Sequence, residues 1–311
     1  MGKYLKLFAT DPERVAYEEG ESYLEPYVSC VEDGGGVVHY NKPSFFCKLT
    51  LSDNSVVELE GSGELTSTMT SEYKSTVVSA EIGTSCTSIG NGAFYNCTGL
   101  TSAIIPNSVT YFGQGAFNSC PKLTNIIIPN SVTNIDLAAF GNCSNLTSII
   151  IPDSVTNISN AILQNCYELT SVTIGDSATS IGEAAFNNCI KLTNITIPDS
   201  VTSISNYAFQ NCSGLSSITI PDNVTTINNN AFANCTGVTT VTIGSGITSI
   251  GRDAFRSCNS LASVTITAVT PPLIDYAFPG NYPIYVPSES VETYKAAGGW
   301  SDYASRIQAI S

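Results

Sequence analysis

Residues 192–214 read LTNITIPDSVTSISNYAFQNCSG, and residues 215–237 repeat them as LSSITIPDNVTTINNNAFANCTG. Stepping outward from this pair by 23 residues at a time, the same pattern returns until it fades at both ends. Its clearest marker is a cysteine, found at Cys97, Cys120, Cys143, Cys166, Cys189, Cys212, Cys235 and Cys258. Three positions before each cysteine stands an aromatic residue or Leu163, and three positions after each stands an aliphatic one, from Leu100 to Leu261. Self-similarity at a fixed period of this length is the mark of a solenoid, in which every coil sets the same demands on the same position.

Within one coil, the alternation Leu192, Ile195, Ile197 reads as a short strand with one buried face. Pro198 ends it, because proline cannot donate to the next rung of a ladder. The spaced pair Val201 and Ile204 follows, and the stretch Ala208-Phe209-x-x-Cys212 has the near-helical spacing of a single helical or 3₁₀ turn. One coil cannot bury its own apolar side. Stacked coils can, and eight strands about 4.8 Å apart predict one long parallel sheet on the order of 40 Å in length.

Such a row of cysteines invites a disulfide or zinc reading, and the spacing argues against both. Adjacent coils bring the thiols within disulfide range, yet equivalent side chains in register point the same way and not at each other. The row contains no Cys-x-x-Cys, and the only histidine of the chain, His39, lies in an expected hairpin strand, where it reads as a surface residue. The eight are therefore expected as buried free thiols that pack a tight inner turn. Cys86 falls at the core position that Val109 occupies one coil later. Cys30 and Cys47 stand outside the row, and nothing in their spacing requires them to pair.

The unit Pro-x-x-Val-x-x-Ile-x-x-x-Ala-Phe-x-x-Cys, as it stands in Pro198–Cys212 and Pro221–Cys235, resembles the BspA-like, or Treponema-pallidum-type, leucine-rich repeat. The resemblance covers residues 77–280 and holds at many positions of many units. Leu163 departs from it in place of Phe, Gly175 and Gly244 in place of Pro, and Ala178 in place of Val. It implies a right-handed leucine-rich-repeat solenoid with a parallel sheet on one face and short helical or 3₁₀ turns opposite. It further implies a cell-surface or secreted, adhesin-like protein of a host-associated microbe, one that binds host proteins, extracellular matrix among them, or other cells. No cofactor comes with the family, and no ligand carries over.

Outside the repeats, residues 1–76 read as a small β-rich unit. Tyr27–Val31 and Val37–Tyr40 flank Glu-Asp-Gly-Gly-Gly, and Phe45–Leu51 and Ser55–Glu60 flank Ser-Asp-Asn, so two hairpins are expected. This unit reads equally as a cap over the first core face or as a module that attaches or orients the solenoid. Residues 281–311 read as a C-terminal cap: Asn281 replaces the cysteine, Pro283–Pro287 looks like a last strand, and Ser288 opens a short helix ended by Gly298-Gly299. Trp300, Tyr303 and Ile307 then cover the last coil.

The chain has 26 acidic and 12 basic residues, a formal net charge of −14. Half of each kind falls within residues 1–80, which leaves the repeats sparsely charged and rich in Ser, Thr and Asn. That balance argues against nucleic acid and against anionic membrane surfaces, both of which need a basic footprint. The opening Lys3–Ala9 is too short for a secretory h-region, no transmembrane stretch follows, and Lys6 stands where a myristoylation motif needs Ser or Thr. An extracellular or surface location is thus expected from the resemblance alone. Enzyme chemistry is not expected, since no P-loop, nucleophile elbow or His-Glu-x-x-His is present.

A partner is expected on the strand face, where side chains line up in rows. One outward row is Ser102, Asn125, Ser148, Ser171, Asn194, Ser217, Thr240 and Ser263. The other is Ile104, Ile127 and Ile150, followed by Thr173, Thr196, Thr219, Thr242 and Thr265. Three stacked isoleucines in an outward row make a small apolar strip of the kind that marks interaction sites, although β-branched residues also simply suit a parallel ladder. The Ser, Thr and Asn rows would suit a polar partner such as a glycan, but they offer no aromatic platform for a sugar. A second reading is a structural or assembly protein, docked by its N-terminal unit, with the solenoid as spacer or recognition tip.

Overall fold

The computed structural model describes residues 45–310 and the backbone of Ser29–Glu32 and Val38–Asn41. The chain divides into two compact units, Met1–Phe45 and Phe46–Ser311. In the first, Ser29–Glu32 and Val38–Asn41 pair antiparallel, on either side of the segment where the glycine-rich turn is expected. The turn itself and the side chains of Cys30 and His39 lie outside the described residues.

The second unit is the solenoid. For each coil we take the segment that ends on its ladder cysteine, so that coil 1 ends on Cys97 and coil 8 on Cys258. Two sheets run along it. The front sheet is made of the expected strands, such as Ser148–Ile151, Ser171–Ile174, Ser217–Ile220 and Thr240–Ile243, each alternating exposed and buried. The second sheet was not foreseen. The Val-x-x-Ile stretch of each coil ends in a two-residue strand, and six of these, from Asn157–Ile158 to Leu273–Ile274, stack in parallel register.

One expectation is corrected. The front sheet is not continuous: it breaks at coil 3, around Asn125, and at coil 6, around Asn194, where no strand forms. These two coils alone place Asn in the first outward row, where every intact strand has Ser or Thr. Asn disfavours strands because its amide competes for nearby backbone groups, whereas Ser and Thr at strand entry reinforce the ladder. One position before this row, Thr170 donates both its N–H and its hydroxyl to the Thr147 carbonyl of the preceding coil, at 2.9 and 3.1 Å.

The Ala-Phe-x-x-Cys stretch is a run of tight i→i−3 turns. Alternate residues bond within the coil and to the next one: Asn187 N–H donates to Ala184 O, while Phe186 and Asn188 donate to Ala208 and Gln210. Two residues per coil take left-handed φ, the second being Asn142, Asn165, Asn188, Asn211 and Asn234 in coils 3 to 7, with φ between 59 and 64°. Asn tolerates that region better than other side chains. Here it also bonds its neighbours: each Nδ2 donates to the Oδ1 one coil earlier at 2.7–2.8 Å, an amide ladder that runs from Asn234 back to Asn142.

Inside lies a phenylalanine stack. Phe186, Phe209, Phe232, Phe255 and Phe278 are parallel, with centroids 5.0–5.3 Å apart, and Phe94, Phe117 and Phe140 form a second run on the far side of Leu163. The ladder cysteines are free and buried, as expected. Their thiols have a task the sequence reading did not assign: in seven coils the Sγ–H donates to the carbonyl of the core residue 26 positions earlier, for example Cys212 to Phe186 O, at 3.1–3.3 Å. Burial pushes the thiols up, Cys97 to about 11 and Cys143 and Cys258 to about 12. At Gly175 and Gly244 a Cβ would come within 2.6 Å of the backbone of Asp153 and Asp222, so successive coils pack closely at these two departures from Pro.

Both ends of the core are covered. Cys47–Leu51 and Val56–Leu59 form the second expected hairpin, which adds to the front sheet antiparallel to Val77–Ile82, while Gly63–Leu65 adds to the second sheet. Phe46, Leu49 and Leu65 are buried there. At the other end the helix Val291–Ala296 and Trp300 pack on the last coils, with the Trp300 indole N–H on Pro272 O at 2.8 Å. Ile284–Val286 is not the last strand, as the sequence reading had it: Ile307–Ala309 pairs in parallel beyond it.

Candidate interaction surface

The register of the front sheet places the two outward rows side by side. Ser148, Ile150 and their counterparts pair with Ser171 and Thr173, and Ser217 and Thr219 with Thr240 and Thr242, then Ser263 and Thr265. All sixteen positions face outward. Fourteen are exposed, Asn125, Asn194 and Thr196 in the unstranded coils included, and Ser263 and Thr265 are half-buried.

Three apolar side chains stand out on this polar face: Ile104, Ile127 and Ile150, exposed by 48, 55 and 64%. They belong to successive coils 2, 3 and 4, and Ile127 sits on the first break in the sheet. Solvent-exposed isoleucine gains nothing from the core, and a strip of three presents apolar area that water covers at a cost of about 25 cal/mol per Å².

Upstream, the same row turns charged. Ile104 pairs with Glu81, Glu81 with Lys48, and Lys48 with Glu58, where Lys48 Nζ lies 3.1 Å from the Glu58 carboxylate. The row therefore runs from charge through isoleucine to threonine. Glu81 stands 23 residues before Ile104, so the repeat spacing already pointed to it. Lys48 and Glu58 lie outside the repeat and could be placed only by the fold.

Among the described residues, no group of three or more His, Cys, Asp or Glu is arranged to hold a metal ion, and no helix is long and apolar enough to cross a membrane.

The pattern of the BspA type leucine rich repeat region matches residues 71–191 and 156–284, in six copies. No curated protein matches the chain. Among solved structures it is similar to a leucine rich cell surface protein of Faecalibacterium prausnitzii A2-165, at 25% identity over 95% of this chain and 96% of that one, with a TM-score of 0.42. It is similar to the Treponema pallidum leucine rich repeat protein at 22% identity, over 71 and 90% of the two chains, with a TM-score of 0.44. A leucine-rich repeat protein of Eubacterium ventriosum gives 19% identity over 79 and 83%, with a TM-score of 0.44.

Proposed function

The chain belongs to the BspA-type leucine-rich-repeat family, and from that premise we propose that it is a non-catalytic, adhesin-like interaction protein that captures a partner protein on its strand face. The observation that carries this reading is the strip Ile104, Ile127 and Ile150, the one run of large apolar side chains exposed on an otherwise polar pair of rows. Stacked on a rigid support, they need no ordering on contact, which keeps the entropic cost of association low. An extracellular or surface location, on a host-associated microbe, accompanies this reading. Matrix proteins of the host are then the first partners to test.

The experiment is a binding screen of the whole protein against extracellular-matrix proteins and glycans, followed by Ile127→Asp. An exposed position tolerates that change within about 0.5 kcal/mol of stability. Binding should fall at least tenfold with the melting temperature unchanged. A proven protein partner that binds the variant as well as the parent would remove the strip from the interface. A part in a larger assembly is the alternative, and a partner captured through residues 1–45 would favour it.

A further inference from the structure

The turn side of the solenoid also changes along its length. The first left-handed residue of each coil is Gly92, Gly115, Ala138, Ala161 and Ala184 in coils 1 to 5, and Tyr207, Asn230, Asp253 and Tyr276 beyond. Over coils 1 to 4 the surface opens into a groove of about 530 Å³, walled by Asn91, Tyr95, Gln114, Asn118, Leu137 and Gln164.

The chemistry of these walls is specific. Four are amides, one is a phenol ring, one is aliphatic, and none carries charge. Tyr95 and Leu137 are 48 and 40% exposed, although no core needs them. The Lys74 ammonium lies 5.7 Å from the Tyr95 ring centroid. Asn118 folds over Gly141, its Nδ2 donating to Ala138 O at 3.2 Å, and a Cβ on Gly141 would sit 2.7 Å from that nitrogen. Asn91 Oδ1 accepts from the Gln114 N–H at 2.8 Å. Further along, the same column is closed, since Asn187 donates to Gln210 at 2.9 Å. Gly141 gives the Gln164 amide no side-chain neighbour in the preceding coil, and Gln164 lines the groove.

We propose that this groove binds a neutral oligosaccharide. The Gln114 and Gln164 side-chain amides each offer two donors and an acceptor side by side, which matches neighbouring hydroxyl groups on a sugar ring. The Tyr95 ring and Leu137 supply apolar surface for the C–H faces of the sugar, with the phenol hydroxyl left for a hydrogen bond. The six wall side chains are uncharged, which suits a neutral ligand. The groove runs along the solenoid across four coils, about 14 Å at strand spacing, so a linear chain can follow it.

The test uses the whole protein and a set of neutral hexasaccharides: cello-, chito-, malto-, xylo- and mannohexaose. Binding is read by saturation-transfer NMR and calorimetry. At least one of them should bind, and Tyr95→Ala and Ala138→Tyr should each weaken it tenfold or more. Ala138→Tyr fills the groove and keeps the fold, because Tyr207 and Tyr276 occupy the same left-handed slot in later coils. Ile127→Asp should leave sugar binding unchanged, which separates this site from the strand face. The proposal is overturned if none of the five binds, or if binding survives Ala138→Tyr in a protein whose melting curve matches the parent's.

Discussion

At coils 3 and 6 the front sheet loses its strand, whereas the turn side passes through the same coils unbroken. Phe117 and Phe140 donate to Ala139 and Ile162 around coil 3, and Phe186 and Phe209 to Ala208 and Ala231 around coil 6, at 2.7–3.0 Å. The turn side adds the amide ladder, the thiol bonds and the stacked rings. The front has its strand ladder, interrupted at these two coils, and Ser and Thr hydroxyls at its edges. The solenoid is therefore held from behind. A face whose coil-to-coil pairing can lapse at two coils is free to vary in its side chains, and the front is where the rows change from charge to isoleucine to threonine.

The largest blow to this comparison should come from the stack. Phe209→Ala opens a cavity between two rings 5.0 Å away on either side, and should cost about 3–5 kcal/mol in denaturant unfolding. A front-face Thr219→Ala that proved as damaging would reverse the picture.

Alkaline pH should act next. The buried thiols are raised above their ordinary value of 9.0 chiefly by burial, so the folded state holds protons that the unfolded state releases. Stability is full below about pH 9 and falls as pH rises toward 12, by up to about 1.4 kcal/mol per pH unit for each thiol. Melting temperature against pH, compared with a variant in which Cys166, Cys189 and Cys212 are replaced by Ala, should show a shallower alkaline fall in the variant.

Asn188 tests the ladder itself. Asn188→Ala loses a donated and an accepted bond and leaves a left-handed alanine, together about 2–4 kcal/mol. Asn188→Gly restores the backbone preference alone, so it should recover about 1 kcal/mol of that loss. Equal losses in the two variants would mean that the side-chain bonds carry the whole effect.

The smallest change should sharpen the contrast. Asn194→Thr supplies the residue type of the intact strands and should mend the second break, for a gain of up to about 1 kcal/mol. Amide exchange at Ile195–Ile197 should slow in step, and unchanged exchange would show that the break does not depend on Asn194.

Much of this was legible from residues 192–237. The period placed the eight phenylalanines of the stack, though not the buried Phe46 and Phe112, and the alternation around Ile195 and Ile218 gave both outward rows with their correct orientation. What escaped had a physical reason. Two-residue strands such as Ser203–Ile204 are too short to show alternation, so the second sheet had no signature. The thiol acceptors lie in the preceding coil, 26 residues away, where a motif read within one coil does not look. The ladder asparagines did recur at 23 residues, but a polar residue beside each cysteine gives no sign that its partner lies one coil away. The breaks at Asn125 and Asn194 were hidden because the flanking isoleucines still alternate. The groove on the turn side depends on what is missing at Gly141, and absence of a side chain carries no pattern.

The amide ladder has one more consequence. Each of its rungs is the same group held by the same group, from Asn142 to Asn234, while Asn118 and Ser119 stand at its beginning and Ser257 follows its end. A 23-residue unit between those limits begins and ends on identical chemistry. Gene duplication or loss of one unit there would lengthen or shorten the rod by about 4.8 Å and leave no unmatched partner. Coil number is thus a quantity this chain can change in whole steps, in the middle and not at the ends, and the distance between its two ends is what such steps would tune.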